Sequence, residues 1–265
     1  MISVENVRHS YGKGGRTVEA LKGVSTSFGA GTTALLGPNG SGKSTLMNII
    51  GTTIVPTEGR LFLNGVLVGR SSLEEYRSQL GVVPQHIDLP KRMRVCDVLS
   101  YLCWVHGVPK ASAASVIDSV LERLELADKR GSRVGDLSGG QLRRVGFACA
   151  MVHQPSVLLL DEPTVGLDPE VRLEIRHLIA RLATNATVVL STHLLEDVSF
   201  LNPAVVMINA GEKVFEGSFE QFVAALPAGG DVRESSVEQA YQQMLRGGAA
   251  SHQGPLAGES WSEQR

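Results

Sequence analysis

The stretch GPNGSGKST, residues 37 to 45, constrains this chain more than any other feature. It fits the spacing Gly-x-x-x-x-Gly-Lys-Ser/Thr, with Gly37, Gly42, Lys43 and Ser44 at the fixed positions and Pro38, Asn39, Gly40, Ser41 and Thr45 around them. The apolar run TTALL precedes it and the helix-like KSTLMNIIGT continues from it, so it sits where a strand hands over to a helix. Glycines there let backbone N–H groups point inward around phosphate oxygens, and the helix N-terminus adds partial positive charge. Lys43 is placed to reach the β- and γ-phosphates, and the Ser44 hydroxyl to bind Mg²⁺. The loop alone leaves open what the nucleotide is for, because kinases, GTPases and motors share it.

A phosphate loop of this kind needs an α/β core, and the chain supplies one. QLGVVPQ, SVLLLDEP and ATVVLSTH are short apolar runs, each followed by helix or loop, the pattern of parallel strands. ISVENVRHSY, VSTSFGAG and GRLFLNG read as strands joined by glycine-containing turns, which predicts an antiparallel sheet near the N-terminus. AVVMINAGEKVFEG predicts a late hairpin turning at Asn209-Ala210-Gly211. Between Gln85 and Leu137 the strand signal stops; DVLSYLCWVHG and SAASVIDSVLERLEL are helical by spacing, with Pro109 between them. The expected class is α/β: a P-loop NTPase core with a parallel sheet, an N-terminal antiparallel β subdomain and an inserted α-helical subdomain over about 90–150. The expected domain runs over 1–222, with a helical extension over 223–245 carrying the amphipathic SVEQAYQQML, and a disordered tail over 246–265.

The 265 residues include three cysteines and carry a formal charge of −2. That balance gives no basic field for nucleic acid, and the sparse, odd cysteine set suits a reducing compartment. No apolar run approaches the roughly 18 residues that span a bilayer. The N-terminus lacks the pattern of an export signal. The expected location is therefore the cytoplasm, with any membrane-spanning helices supplied by another chain.

Two further segments carry chemistry. In SVLLLDEPT an apolar strand ends in Asp161 and Glu162. An acid pair there is costly unless it serves a nearby cation, so Asp161 is read as a metal holder and Glu162 as the group that polarises an attacking water. DLSGGQLRR, residues 136 to 144, sets Gly139 and Gly140 ahead of an apolar helix, a second glycine turn in a chain that already has a phosphate loop. Gln85 after VVP and His193 after VVLST are unremarkable alone.

Phosphate loop, glutamine after a strand, LSGGQ, Asp-Glu at a strand end and a strand-terminal histidine, in that order, resemble the ATP-binding cassette family over about residues 2 to 217. LSGGQ is the most specific of these. The resemblance implies ATP and Mg²⁺ as ligands, with Tyr11 stacking on adenine, Gln85 sensing metal and water, Glu162 as general base and His193 contacting the γ-phosphate. It implies that Leu137, Ser138, Gly139, Gly140 and Gln141 act in trans on the ATP of a second cassette, with Asp168 of VGLDP at the contact between cassettes. It implies two partners: a second copy or a paralogous cassette, and a separate transmembrane permease that keeps the chain peripheral on the cytoplasmic face of the membrane.

The sequence departs from the family pattern in two places. Val165-Gly166 stand where Ser-Ala is common, and Asn202-Pro203 make the turn after His193 atypical. PTVGLDPEVR and STHLLED look most like cassettes of bacterial export systems. A mechanical ATPase that signals through a membrane partner, or a soluble non-transport cassette, is the alternative. Cys96, Cys103 and His106 share a helical face and are read as packing rather than metal ligands. Arg143 and Arg144 are both expected to face solvent or acids of the fold.

Overall fold

The structure, a computed structural model, describes residues 1–12 and 17–225. SVEQAYQQML and the 246–265 tail lie outside the described residues. Two sheets organise the rest. The first is antiparallel: β1 (Ile2–Tyr11), β2 (Val18–Phe28), β4 (Glu58–Leu63) and β5 (Val66–Leu67) lie in the order β2-β1-β4-β5. Ile2 and Val4 point inward by the two-residue period of a strand; a register shift after Val4, with Asn6 at φ 47°, re-aims the chain so that Val7 is buried too.

The second sheet has six strands in the order β10-β9-β3-β8-β7-β6. β3 (Gly31–Leu36), β6 (Leu80–Val83), β7 (Val157–Asp161), β8 (Thr187–Thr192) and β9 (Ala204–Asn209) run parallel, and β10 (Glu212–Ser218) folds back antiparallel on β9. The hairpin turns on Ala210 and Gly211, at φ 47° and 84°. Two consecutive left-handed residues match the twist of flanking strands, so the expected turn holds with Asn209 as its last strand residue. Val157–Leu160 and Val188–Leu190 are buried without alternation because helices cover both faces.

Those helices are α1 (Lys43–Ile50), α2 (Leu73–Ser78), α3 (Val95–Val105), α4 (Lys110–Arg123), α5 (Gly139–Met151), α6 (Pro169–Ala183), α7 (Leu195–Leu201) and α8 (Phe219–Ala225). α1 is sandwiched between the sheets, where Leu46, Ile49 and Ile50 meet Phe28, Leu35 and Leu159 in one core. The helices α3, α4 and α5 form the segment between β6 and β7, where Leu99, Ile117, Leu121 and Phe147 join a second core shared with α6. Pro109 caps the start of α4, as its fixed φ favours. The segment is not wholly without β pairing: Arg94 and Arg133 form an isolated antiparallel bridge that staples its entry to its exit.

Candidate functional site

Four parallel strands deliver the functional side chains to one edge of the sheet. β3 runs into the phosphate loop, β6 into Gln85, β7 into Asp161-Glu162 and β8 into His193. Carboxyl ends of parallel strands are where α/β proteins place ligands. Here a cavity of about 440 Å³ opens, lined by Tyr11, Asn39, Gly40, Gly42, Lys43, Ser44, Thr45, Gln85, Glu162 and His193, with Ala20 and Val165.

The phosphate loop is shaped by close approaches. Gly42 stands at φ 110°, and a Cβ there would lie 2.6 Å from the Ala20 carbonyl oxygen. At Gly37 a Cβ would meet the Ile208 carbonyl at 2.2 Å and the Ser41 hydroxyl at 2.7 Å. Gly37, Pro38 and Ser41 therefore support the cradle from behind rather than line it. Ser41 Oγ is buried without a hydrogen-bond partner. The Lys43 ammonium donates to the carbonyls of Gly37 (2.8 Å) and Pro38 (3.1 Å) and lies 4.0 Å from Glu162. Burial holds its pKa below the ordinary lysine value, opposed by the charges of Glu162 and Asp161. Tyr11 is half exposed at the cavity mouth, its hydroxyl 3.3 Å from that of Thr45.

Glu162 is buried, and both its carboxylate oxygens lie within hydrogen-bond distance of His193 Nδ1, at 3.0 and 3.1 Å. A carboxylate accepts, so Nδ1 carries a proton in this contact. Its backbone is unusual: φ is 45°, a left-handed conformation that a residue with a side chain seldom adopts. The Glu162 N–H donates to the Ser191 carbonyl at 3.1 Å, and the Ser191 hydroxyl donates to Asp161. Ser191 thus tethers the acid pair to β8.

LSGGQ lies elsewhere. Ser138 caps α5 in a reciprocal box with Gln141: Ser138 Oγ accepts from the Gln141 N–H (3.3 Å), and Gln141 Oε1 accepts from the Ser138 N–H (3.0 Å). Leu137, Ser138, Gly139, Gly140 and Gln141 do not line the cavity, nor does Asp168, which precedes α6 and makes no capping hydrogen bond. A Cβ on Gly140 would press on Val171 at 2.7 Å, whereas one on Gly139 would meet nothing within 4 Å. Among the described residues nothing requires Gly139 to be glycine.

One expectation is corrected. Arg144 pairs with Glu125 and Glu174, as expected, but Arg143 is turned away from solvent and forms no salt bridge among the described residues, Asp161 acting on it only through its charge. Arg143 is buried and donates to the backbone carbonyls of Pro84, Gln85, Glu162 and Pro163. Successive helical residues are rotated by about 100°, so neighbours in sequence need not share a face. Arg143 precedes buried Phe147 by one turn, and that spacing is the signal for its inward position. Ser191 and the fully buried Asp197, which accepts from Thr164 and Arg176, were also not singled out by motif.

A phosphate loop and the strand-end Glu162 in one cavity, with Asp161 held beside it by Ser191 and an LSGGQ helix outside it, define a cassette-type nucleotide-binding domain. The ABC transporter family matches residues 21–165. The linearmycin resistance ATP-binding protein LnrL of Bacillus subtilis is 31% identical over 252 residues, covering 93% of this chain and 79% of that one. The Nod factor export ATP-binding protein I of Rhizobium meliloti is 37% identical over 219 residues, covering 82% of this chain but only 64% of its own length. The methionine import ATP-binding protein MetN of Caulobacter vibrioides is 35% identical over 227 residues, covering 83% and 68%. A dimeric post-hydrolysis structure of the ATP-binding cassette MJ0796 with ADP and Pi superposes with a TM-score of 0.72 at 28% identity, over 82% of this chain and 98% of that one. The chain belongs to the ABC transporter family of ATP-binding proteins. It is an ATP-binding subunit of an ABC transporter and hydrolyses ATP to ADP and phosphate.

Proposed function

We propose that two copies of this chain, or this chain and a paralogous cassette, associate head to tail, so that Ser138–Gln141 of one close over ATP held in the phosphate loop of the other. The observation that carries this reading is the position of LSGGQ outside its own chain's cavity, together with Gly139 standing in open space. A two-fold interface of this kind is self-complementary and can be built from one repeated chain. The cassette of MJ0796 is dimeric with ADP and Pi bound, which supports it.

Within each site, Glu162 takes the proton of the attacking water, and His193, hydrogen-bonded to that carboxylate, lies beside it in the cavity wall toward the γ-phosphate. Gln85 orients the water and Lys43 neutralises phosphate charge. Tyr11 stacks on adenine. Mg²⁺ fits the donors present: the Ser44 hydroxyl, the Gln85 amide oxygen and the Asp161 carboxylate are hard oxygen ligands, and the Ser191 hydroxyl already orients that carboxylate. When bound, the ion would neutralise charge developing on the phosphates.

Among the described residues no helix is long and apolar enough to cross a membrane. A transporter subunit of this kind therefore works against spanning helices on a separate permease, peripheral on the cytoplasmic face. The exposed Tyr101, Trp104 and Val105 of α3, with the loop after Gln85, are the surface offered to it. Export is the favoured direction on the segments PTVGLDPEVR and STHLLED, since the likenesses to a Nod factor export protein and a methionine import protein are comparable at 37% and 35%. Glu162→Gln is the direct test of the chemistry: ATP affinity should stay within about twofold while hydrolysis falls by about 10²- to 10⁴-fold, the size of a lost general base. Turnover at the wild-type rate would remove Glu162 from that role.

A further inference from the structure

We propose that Arg143 is a positioning residue for hydrolysis, holding the main chain of Gln85 and Glu162 in the geometry the reaction needs. The inference rests on the reading of those two side chains as the water-orienting and proton-accepting groups.

The geometry is specific. Arg143 extends inward from α5 to the ends of the adjacent strands β6 and β7. One terminal nitrogen donates to Pro84 O and Gln85 O, both at 2.9 Å. The other donates to Glu162 O at 2.7 Å, and Nε donates to Pro163 O at 2.7 Å. Arg143 as a residue is 5% exposed, and it forms no salt bridge to a carboxylate among the described residues. A cation buried with hydrogen bonds to carbonyl oxygens alone, compensated by the charge of Asp161 with no salt bridge formed, is an expensive arrangement for fold stability, and apolar packing would fill the space as well. What the planar fork does that apolar packing cannot is fix four carbonyls from two loops relative to one another.

That matters most at Glu162. With φ at 45°, its backbone is held from both sides: Ser191 accepts from its N–H and Arg143 donates to its carbonyl. Remove the second tether and the residue can relax toward an ordinary conformation, swinging the carboxylate away from its partner His193. A displacement on the order of 1 Å at a reacting group slows turnover by about 10²-fold without touching the substrate. Arg143 does not itself line the cavity, so ATP binding should be spared.

The test compares wild type, R143M, R143K and R143M/E162Q, each checked for fold by circular dichroism, in steady-state hydrolysis and in equilibrium ATP binding by calorimetry. R143M should lower kcat about tenfold or more while KM and ATP affinity stay within about twofold. R143K, which keeps a buried donor, should recover part of the loss. R143M/E162Q should be no slower than E162Q, because Arg143 acts through Glu162. A smaller fall in kcat, a fall in ATP affinity that accounts for it, or R143K as slow as R143M would overturn the proposal. Should R143M not fold, R143Q, which retains amide donors but not the fork, should lower kcat severalfold with ATP affinity within about twofold, and a wild-type kcat or a matching fall in ATP affinity would overturn the proposal. Failure of the underlying reading would look different: E162Q itself would turn over at the wild-type rate.

Discussion

At the scale of single residues, two glycines with similar sequence surroundings answer to different demands. Gly42 is required by its own chain, since its φ of 110° and the Ala20 carbonyl leave no room for a Cβ. Gly42→Ala should destabilise the protein by about 1–3 kcal/mol in urea unfolding, the usual size of enforced backbone strain, and weaken ATP. Gly139 has open space, and an acid in the first turn of a helix is favourable. Gly139→Asp should leave Tm and monomer ATP affinity unchanged yet stop turnover. If Gly139→Asp unfolds the protein, the glycine serves the fold after all. The phosphate-loop residues, Asp161 and Glu162 were legible because each stands at a strand end within a short pattern, whereas Gln85 and His193 were legible only through the order of motifs along the chain. The inward turn of Arg143 and the left-handed backbone of Glu162 were not, because both depend on contacts between β6, β7, β8 and α5 that no local pattern encodes.

At the scale of elements, the strand pattern was readable because buried parallel strands are continuous apolar runs, and the helices because their apolar faces repeat at helical spacing. What the pattern did not reveal is how the helices α3 to α5 join the core. One joint is a pair of histidines. His106, just past α3, stacks on His153, just past α5, with ring centroids 3.9 Å apart and an angle of 6°. His153 Nε2 donates to the Leu80 carbonyl at 3.0 Å, which leaves its buried Nδ1 without a partner. Protonating Nδ1 would bury an unpaired N–H against a neighbouring ring. Burial holds both pKa values below the ordinary 6.5, and the His106 charge adds to the effect on His153. The unfolded chain therefore binds more protons than the folded one below that pH. The stability contributed by the pair is complete above about 6.5 and lost as pH falls from there through the folded values. Tm should drop between about pH 7.5 and 5.5, and less steeply in His153→Gln. Equal slopes would show that other groups govern the acid response.

At the scale of the whole molecule, the hydrolytic site proposed to form head to tail has two halves that a single chain places apart. Its cavity is lined by the phosphate loop, Glu162 and His193; its LSGGQ turn does not line that cavity. The order of motifs along the sequence announced both halves, but only the fold separates them, since strand ends converge on the cavity while α5 starts outside it. Nucleotide-driven association follows: ATP bridges two chains, and loss of its γ-phosphate removes contacts on both sides, a change able to drive a membrane partner. The most direct measurement is light scattering with saturating ATP on Glu162→Gln, alone and combined with Gly139→Asp. Glu162→Gln should become dimeric with ATP and remain monomeric without it, and the double variant should bind ATP equally well yet stay monomeric. A monomeric Glu162→Gln with ATP bound, or a double variant that dimerises as readily, would contradict it.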